Sequence, residues 1–290
     1  MAQAIDCKAI REKILNEVKE EVATLPTQPH LAVVIVGDDK ASHTYVKNKE
    51  KTCEQVGIKS SVIMLREDIP QIALDTVINQ LNNDENVHGI LLQLPLPKHL
   101  NEQRTIDLIS QYKDVDGLTI ANAGLVALGR LDEAIIPCTP SGVIRMFDEI
   151  GYDLEGKTVT IIGRSNLFGK PMSQLCLSRN ATVKMCHSRT NKLHNELDFQ
   201  DVVISAIGKP KFLDNTYLSY NDVLVDVGIN RDENGKLCGD INIEDVLSIE
   251  EEAPKYYTPV PGGIGLLTTA MLMKNVIKAY KMQKELNKDE

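Results

Sequence analysis

Apolar residues recur along this chain at two periods. Near the N-terminus Ile10, Ile14, Val18 and Val22 lie four apart, which is the spacing of one helix face. Residues 31–36 (LAVVIV) are apolar at every position and stop at Gly37, the pattern of a strand buried on both faces. Beyond it the pattern predicts a helix over 42–56, a strand over 60–65 and a helix over 72–81. A strand over 87–94 and a helix over 101–112 follow. Strands alternating with helices predict parallel sheet joined by right-handed crossovers.

The rhythm breaks at 136–142 (IPCTPSG), a turn-rich connector in which Thr139 or Ser141 can cap a helix running to about residue 150. It resumes with strands over 158–162, 181–185, 202–206 and 223–227. A second connector, 257–265 (YTPVPGGIG), precedes a helix over 266–280, and the charged tail 281–290 is expected to fray. Two Pro-rich connectors flank the middle block, so the simplest layout makes it an insertion. The expected organisation is α/β: two α/β domains with a cleft between them. The first is 1–138 plus 266–290; the second, 139–265, is Rossmann-like.

Composition narrows the class. Of 290 residues 42% are hydrophobic, none is Trp, and the net charge is −9. That profile suits a soluble protein cored by Val, Ile and Leu, and argues against nucleic-acid binding through a broad basic face. No apolar run is long enough for a bilayer, and the first helix is amphipathic rather than a cleavable leader. Six scattered cysteines with no CxxC pair read as reduced thiols of a cytoplasmic protein, with no metal site.

Two groups of residues carry chemistry. Residues 163–171 (GRSNLFGKP) follow a strand and open a helix, as a phosphate-binding turn does, although Gly163…Gly169 is not the usual dinucleotide spacing and a plain tight turn also fits. The next strand ends in His187, Ser188 and Arg189 without the acid that contacts an NAD ribose, so Arg164, Ser188 and Arg189 favour a 2′-phosphate and hence NADP. Tyr45 and Lys49 lie i and i+4 on one helix face; taken alone they also fit a packed Tyr beside a surface Lys. Gln93 interrupts the apolar run 90–94 at a strand end, where ligands of open α/β sheets bind, and Lys49 is a plausible partner for its amide. Asp116 sits in a Val-Asp-Gly turn at the same sheet edge, either as turn chemistry or as a ligand anchor.

In this order the motifs resemble the bifunctional methylenetetrahydrofolate dehydrogenase/cyclohydrolase family over nearly the whole length. They are 36–39 (VGDD) with Ser42, Tyr45 and Lys49; 92–97 (LQLPLP); 113–117 (KDVDG); and 137–142 (PCTPSG). Residues 163–166 (GRSN), 186–190 (CHSRT), 206–210 (AIGKP), 226–230 (DVGIN) and 258–263 (TPVPGG) complete the set. The resemblance implies Lys49 as the proton-transfer residue with Gln93 as partner, Tyr45 packing on the folate and Asp116 holding the pterin. It implies a cofactor site of Gly163, Arg164, Ser165, Ser188, Ile229 and Thr139, and a folate cleft lined by Pro261, Gly262 and Gly265. It further implies NADP as cofactor, tetrahydrofolate derivatives with or without a glutamate tail as substrates, and a homodimer. This chain departs from the family at Leu266-Leu267 in place of Pro-Met, at Cys7 in place of Gly, and at Phe168 in place of a smaller residue. Two rival readings are another two-domain NADP dehydrogenase of the shikimate type, which needs no Tyr45/Lys49/Gln93 set, and a non-catalytic folate- or nucleotide-binding regulator.

Overall fold

A computed structural model describes residues 2–286 of the chain. It divides into two units, one of Lys13–Cys138 with Thr269–Glu290, the other of Met1–Glu12 with Thr139–Thr268. The first twelve residues therefore group with the middle of the chain, not with 13–138 as the sequence reading had them. The reason is a two-residue strand, Gln3–Ala4, which pairs in parallel with Tyr256–Tyr257. Residues 266–268 likewise fall in that unit.

The unit of Lys13–Cys138 and the C-terminal segment is built on three parallel strands in the order Lys59–Leu65, His30–Val36, Gly89–Leu92. Every residue of the middle strand is buried, which is why its sequence shows no alternation. The helix Lys40–Val56 starts where the Asp39 carboxylate accepts the Ser42 N–H at 2.7 Å and ends at Gly57 with φ +82°. Helices Gln71–Asn83 and Glu102–Leu108 supply Leu74, Ile78 and Ile106 to a cluster with Val34, Ile90 and Leu92. The second of these is shorter than the 101–112 pattern predicts. Asn82 stops it: its Nδ2 donates to Leu108 O at 2.7 Å and its Oδ1 accepts the Ser110 N–H at 2.9 Å. The helix Ile120–Ala127, capped by Thr119, was not legible in the sequence.

The last helix runs Ile264–Leu286, so the expected fraying from residue 281 is wrong as far as Leu286; 287–290 lie outside the described residues. Its polar end is tied down. Gln283 Nε2 donates to His88 O at 2.8 Å and Tyr112 O at 2.9 Å, and Lys281 pairs with Glu21.

The other unit is a six-stranded, wholly parallel sheet. Its order is Gln3–Ala4, Tyr256–Tyr257, Val223–Asp226, Val202–Ser205, Thr158–Ile162, Thr182–Cys186. Thr158–Ile162 has a later strand on each side, so the connections reverse direction there. Such a reversal opens a crevice beyond the C-terminal strand ends. The 136–142 connector proves to be mostly the first turn of the helix Cys138–Ile150, since proline is tolerated there. A hairpin of Asn230–Arg231 and Leu237–Cys238 completes the unit.

Among the described residues no helix is long and apolar enough to cross a membrane. All six cysteines are buried and unbridged.

Candidate functional site

In the three-stranded unit, the edge beyond the strand C-termini gathers the residues singled out for proton transfer. Lys49 Nζ donates to Gln93 Oε1 at 3.0 Å, and Gln93 Nε2 donates to Leu94 O at 2.8 Å. The Gln93 backbone N–H continues the sheet ladder to Val34 O at 2.8 Å, so the amide is held by the strand itself. Lys49 is half-buried, while Tyr45, one turn earlier, is 54% exposed and free to meet a ligand.

Asp116 completes the cluster. Desolvation pushes its carboxyl above the ordinary carboxylate range; the Lys49 charge opposes that and Asp114 adds to it. The turn presenting it is built by residues the sequence reading did not single out. Asp114 accepts from Leu118 N (3.1 Å), Thr119 N (2.9 Å), Thr119 Oγ1 (2.8 Å) and Asn122 Nδ2 (2.9 Å). Gly117 follows with φ +69°, and a Cβ there would strike Ile135 O and lie 2.8 Å from Pro137 N. Only glycine fits that turn.

Behind Asp116 lie Cys138 and Asn275, both buried. Cys138 Sγ stands 3.8 Å from Asp116 Oδ1, and burial drives its thiol well above its ordinary pKa, so it faces the carboxylate as S–H. Asn275 Nδ2 donates to Val115 O at 2.8 Å and Ile136 O at 2.9 Å, tying the last helix to the turn. A polar residue within the apolar 266–280 pattern was the available signal for Asn275.

The six-stranded unit carries the glycine loop where its connections reverse. Gly163 (φ +130°) leaves the strand Thr158–Ile162, and a Cβ there would lie 2.6 Å from Ala206 O, at the end of the neighbouring strand. A Cβ on Gly169, first residue of the helix Gly169–Leu177, would strike Gly163 O. The loop is thus folded back on itself, and Ser165 Oγ accepts the Phe168 N–H at 3.1 Å. Arg164 and Ser165 are exposed at its crest, while Phe168 is buried beneath.

The adjacent strand ends in a turn organised by His187. Its N–H donates to Thr190 Oγ1 at 2.9 Å, and its Nδ1 accepts the Arg189 N–H at 3.1 Å. Ser188 and Arg189 are left exposed, and no carboxylate occupies 186–190. The donor set, one arginine on each loop with two hydroxyls and a close-packed glycine turn, fits a phosphorylated dinucleotide.

The remaining expected residues fall in this second unit. Ile229 is 58% exposed, and a Cβ on Gly265 would lie 3.2 Å from its Cδ1, so those two are neighbours. Pro261 and Gly262 are exposed on the preceding loop, and Thr139 Oγ1 lies 3.1 Å from Thr268 Oγ1. Lys49, Gln93, Asp116 and Tyr45 thus belong to one unit, and Gly163, Arg164, Ser165, Ser188, Ile229, Thr139, Pro261, Gly262 and Gly265 to the other. Of the departures, Leu267 and Cys7 are fully buried and act as core.

Fold and sites together define a two-unit α/β protein with a dinucleotide-binding unit and a separate lysine-centred polar cluster. Residues 5–116 match the family described as tetrahydrofolate dehydrogenase/cyclohydrolase, catalytic domain, and 137–284 match its NAD(P)-binding domain. The chain belongs to the tetrahydrofolate dehydrogenase/cyclohydrolase family. It is 44% identical to the "Bifunctional protein FolD" of Listeria innocua over 290 residues, 99% of this chain and 100% of that one. The crystal structure of the bifunctional FolD enzyme from Campylobacter jejuni superposes with a TM-score of 0.94 at 43% identity, covering 98% of this chain and 100% of that one. A Trypanosoma brucei dehydrogenase-cyclohydrolase complexed with NADP cofactor and inhibitor gives a TM-score of 0.89 at 32% identity, over 97% and 98% of the two chains.

Proposed function

We propose that this protein oxidises 5,10-methylenetetrahydrofolate to 5,10-methenyltetrahydrofolate with NADP and then hydrolyses the product to 10-formyltetrahydrofolate. The observation that carries this is the Lys49–Gln93 hydrogen bond of 3.0 Å beside the partly desolvated Asp116. Gln93 takes one N–H of the Lys49 ammonium and aims the group, leaving its other protons for substrate. Tyr45 offers an exposed ring on the same helix face for the flat pterin. The Asp116 carboxylate accepts from the adjacent ring N–H and amino group of the pterin, a pair of donors that matches its two oxygens.

NADP, when bound, supplies the hydride acceptor. Gly163, Arg164, Ser165 and Ser188 would hold its phosphates, Ile229 would meet its nicotinamide end, and Thr139 would belong to the same site. Pro261, Gly262 and Gly265 serve the folate.

In the second step water adds to the methenyl carbon and loses a proton; the bond from that carbon to N5 then breaks as N5 takes up a proton, and the remaining hydroxyl proton leaves as the formyl C=O forms. Lys49 is placed to carry the proton between these positions, its amine accepting and its ammonium returning it. The net reaction releases one proton. The substrates are tetrahydrofolate derivatives, with or without a glutamate tail. The enzyme acts in the cytoplasm as a homodimer, a reading supported by the family resemblance and by its unbridged thiols.

The test is Lys49→Ala assayed on each step. Removing a positioned general acid–base lowers a rate roughly 10²- to 10⁴-fold, so hydrolysis of methenyltetrahydrofolate collapses while hydride transfer survives in part. A variant hydrolysing at the parent rate refutes the assignment.

A further inference from the structure

Two buried carboxylates that take no part in this chemistry lie beneath the cofactor loops. Asp226 ends the strand Val223–Asp226, and Asp240 follows the hairpin; they are 4% and 0% exposed. Asp226 accepts the backbone N–H groups of Gly228 (2.9 Å), Asp240 (3.0 Å) and Ile241 (2.8 Å). Asp240 accepts from Ser205 Oγ (3.0 Å), Ile207 N (2.8 Å), Lys209 N (2.9 Å) and Asn230 Nδ2 (2.9 Å).

Most of these donors come from the turn that carries Ile229 and from the 205–209 loop. Ile229 stands between Gly228, held by Asp226, and Asn230, held by Asp240. The 205–209 loop, held by Asp240, begins beside Ala206, the residue against which Gly163 is packed. There is no slack: a Cβ on Gly228 would strike Asp240 Oδ1, and one on Gly239 would strike Asp226 Oδ2. Burial, helped by the Asp240 charge, pushes the Asp226 carboxyl up to about 6 although three N–H groups favour its ionised form, so that carboxylate is held at a desolvation cost. Two buried carboxylates that together accept seven hydrogen bonds, most of them from these segments, point to a positioning role.

We infer that Asp226 and Asp240 are positioning residues that lock the Gly228–Ile229–Asn230 turn and the 205–209 loop into the arrangement the nicotinamide end of the cofactor requires. This rests on the proposed placement of the nicotinamide beside Ile229. The pair acts through these loops without touching the ligand.

The experiment compares a whole cofactor with half of one. NADPH binding is followed by its own fluorescence and adenosine 2′,5′-bisphosphate binding by calorimetry, on the full-length protein and on Asp240→Asn. The amide presents an N–H₂ to at least one of the donors that Asp240 accepts. NADPH binding is expected to weaken about tenfold, the scale of losing hydrogen bonds to a buried charge, with dehydrogenase kcat falling alongside. Adenosine bisphosphate binding should stay within about twofold, because its site is on the Arg164–Ser188 side.

Asn230→Ala removes one donor only and decides the matter if Asp240→Asn does not fold; about a threefold loss restricted to NADPH is expected. Equal weakening of both ligands, or no weakening of either, overturns the inference. A third variant, Ile229→Arg, alters an exposed side chain. If it leaves NADPH binding intact, the nicotinamide placement is wrong. If it weakens NADPH while the Asp240 and Asn230 variants do not, the placement stands and the positioning pair is refuted.

Discussion

Gly117→Ala is the sharpest single test of how the Asp116 turn is held. The backbone at 117 has φ +69°, a region that costs an L-residue about 1–2 kcal/mol relative to glycine. The added methyl would also lie 2.8 Å from Pro137 N, against 3.4 Å or more in an ordinary contact, and would strike Ile135 O. Both neighbours are backbone, so relief requires the turn to move by more than half an ångström. Overpacking of this kind costs about 1–3 kcal/mol. The sum is a loss of roughly 2–5 kcal/mol, or some 4–20 °C of melting temperature at about 2–4 °C per kcal/mol for a domain of this size.

Function should suffer beyond stability, because the displaced residue is Asp116. A misplacement near 1 Å costs on the order of 10²-fold in rate, so kcat/KM for folate should fall by about that factor in both reactions. The control is Gly124→Ala, at an exposed position in the helix Ile120–Ala127 with nothing within 4 Å of the new Cβ. There alanine should stabilise by about 0.5–1 kcal/mol. Scanning calorimetry and steady-state assays on both variants suffice. A Gly117→Ala protein that melts and turns over like the parent would show that the turn is not constrained as argued.

Three further outcomes follow from the same geometry. Arg164→Ala should raise KM for NADP far more than for NAD, since only the former presents a 2′-phosphate for a charge-assisted bond; equal effects on the two cofactors would remove Arg164 from that role. Gly262→Val, at φ +100°, strains an exposed loop and should raise KM for folate with little change for NADP; the reverse pattern would assign that loop to the cofactor. His88 is held neutral by burial, with Lys284, His30 and Lys113 adding to it, and its pKa is lowered from 6.5 to about 4. The unfolded chain therefore binds this proton more readily: stability is complete above pH 6.5 and falls by up to about 3 kcal/mol as pH drops toward 4. Urea midpoints at pH 7.5 and 5 should differ in the parent and much less in His88→Gln; a midpoint indifferent to pH would contradict the burial argument.

What the sequence determined by itself was whatever depends on neighbours in the chain. The all-apolar run ending at Val36 marks a strand because a sheet covered on both faces demands it. The Gly163–Gly169 loop is announced by its place between a strand and a helix. Tyr45 and Lys49 share a face through helix periodicity alone.

Tertiary structure decided what depends on residues far apart. Gln93 meets Lys49 across 44 positions. Asn275 reaches the Asp116 turn from 160 positions away at Val115, and Asp240 gathers donors from as far as Ser205. The N-terminal strand joins the distant unit by pairing with Tyr256–Tyr257, and the charged C-terminal turn stays helical because Gln283 finds carbonyls at His88 and Tyr112. A buried polar group must be satisfied, but its identity in the sequence says nothing about which partner satisfies it. That choice is made only when the sheets assemble, so the glycine loop and the Tyr45/Lys49 helix face were legible in advance while the carboxylates and amides that hold them were not.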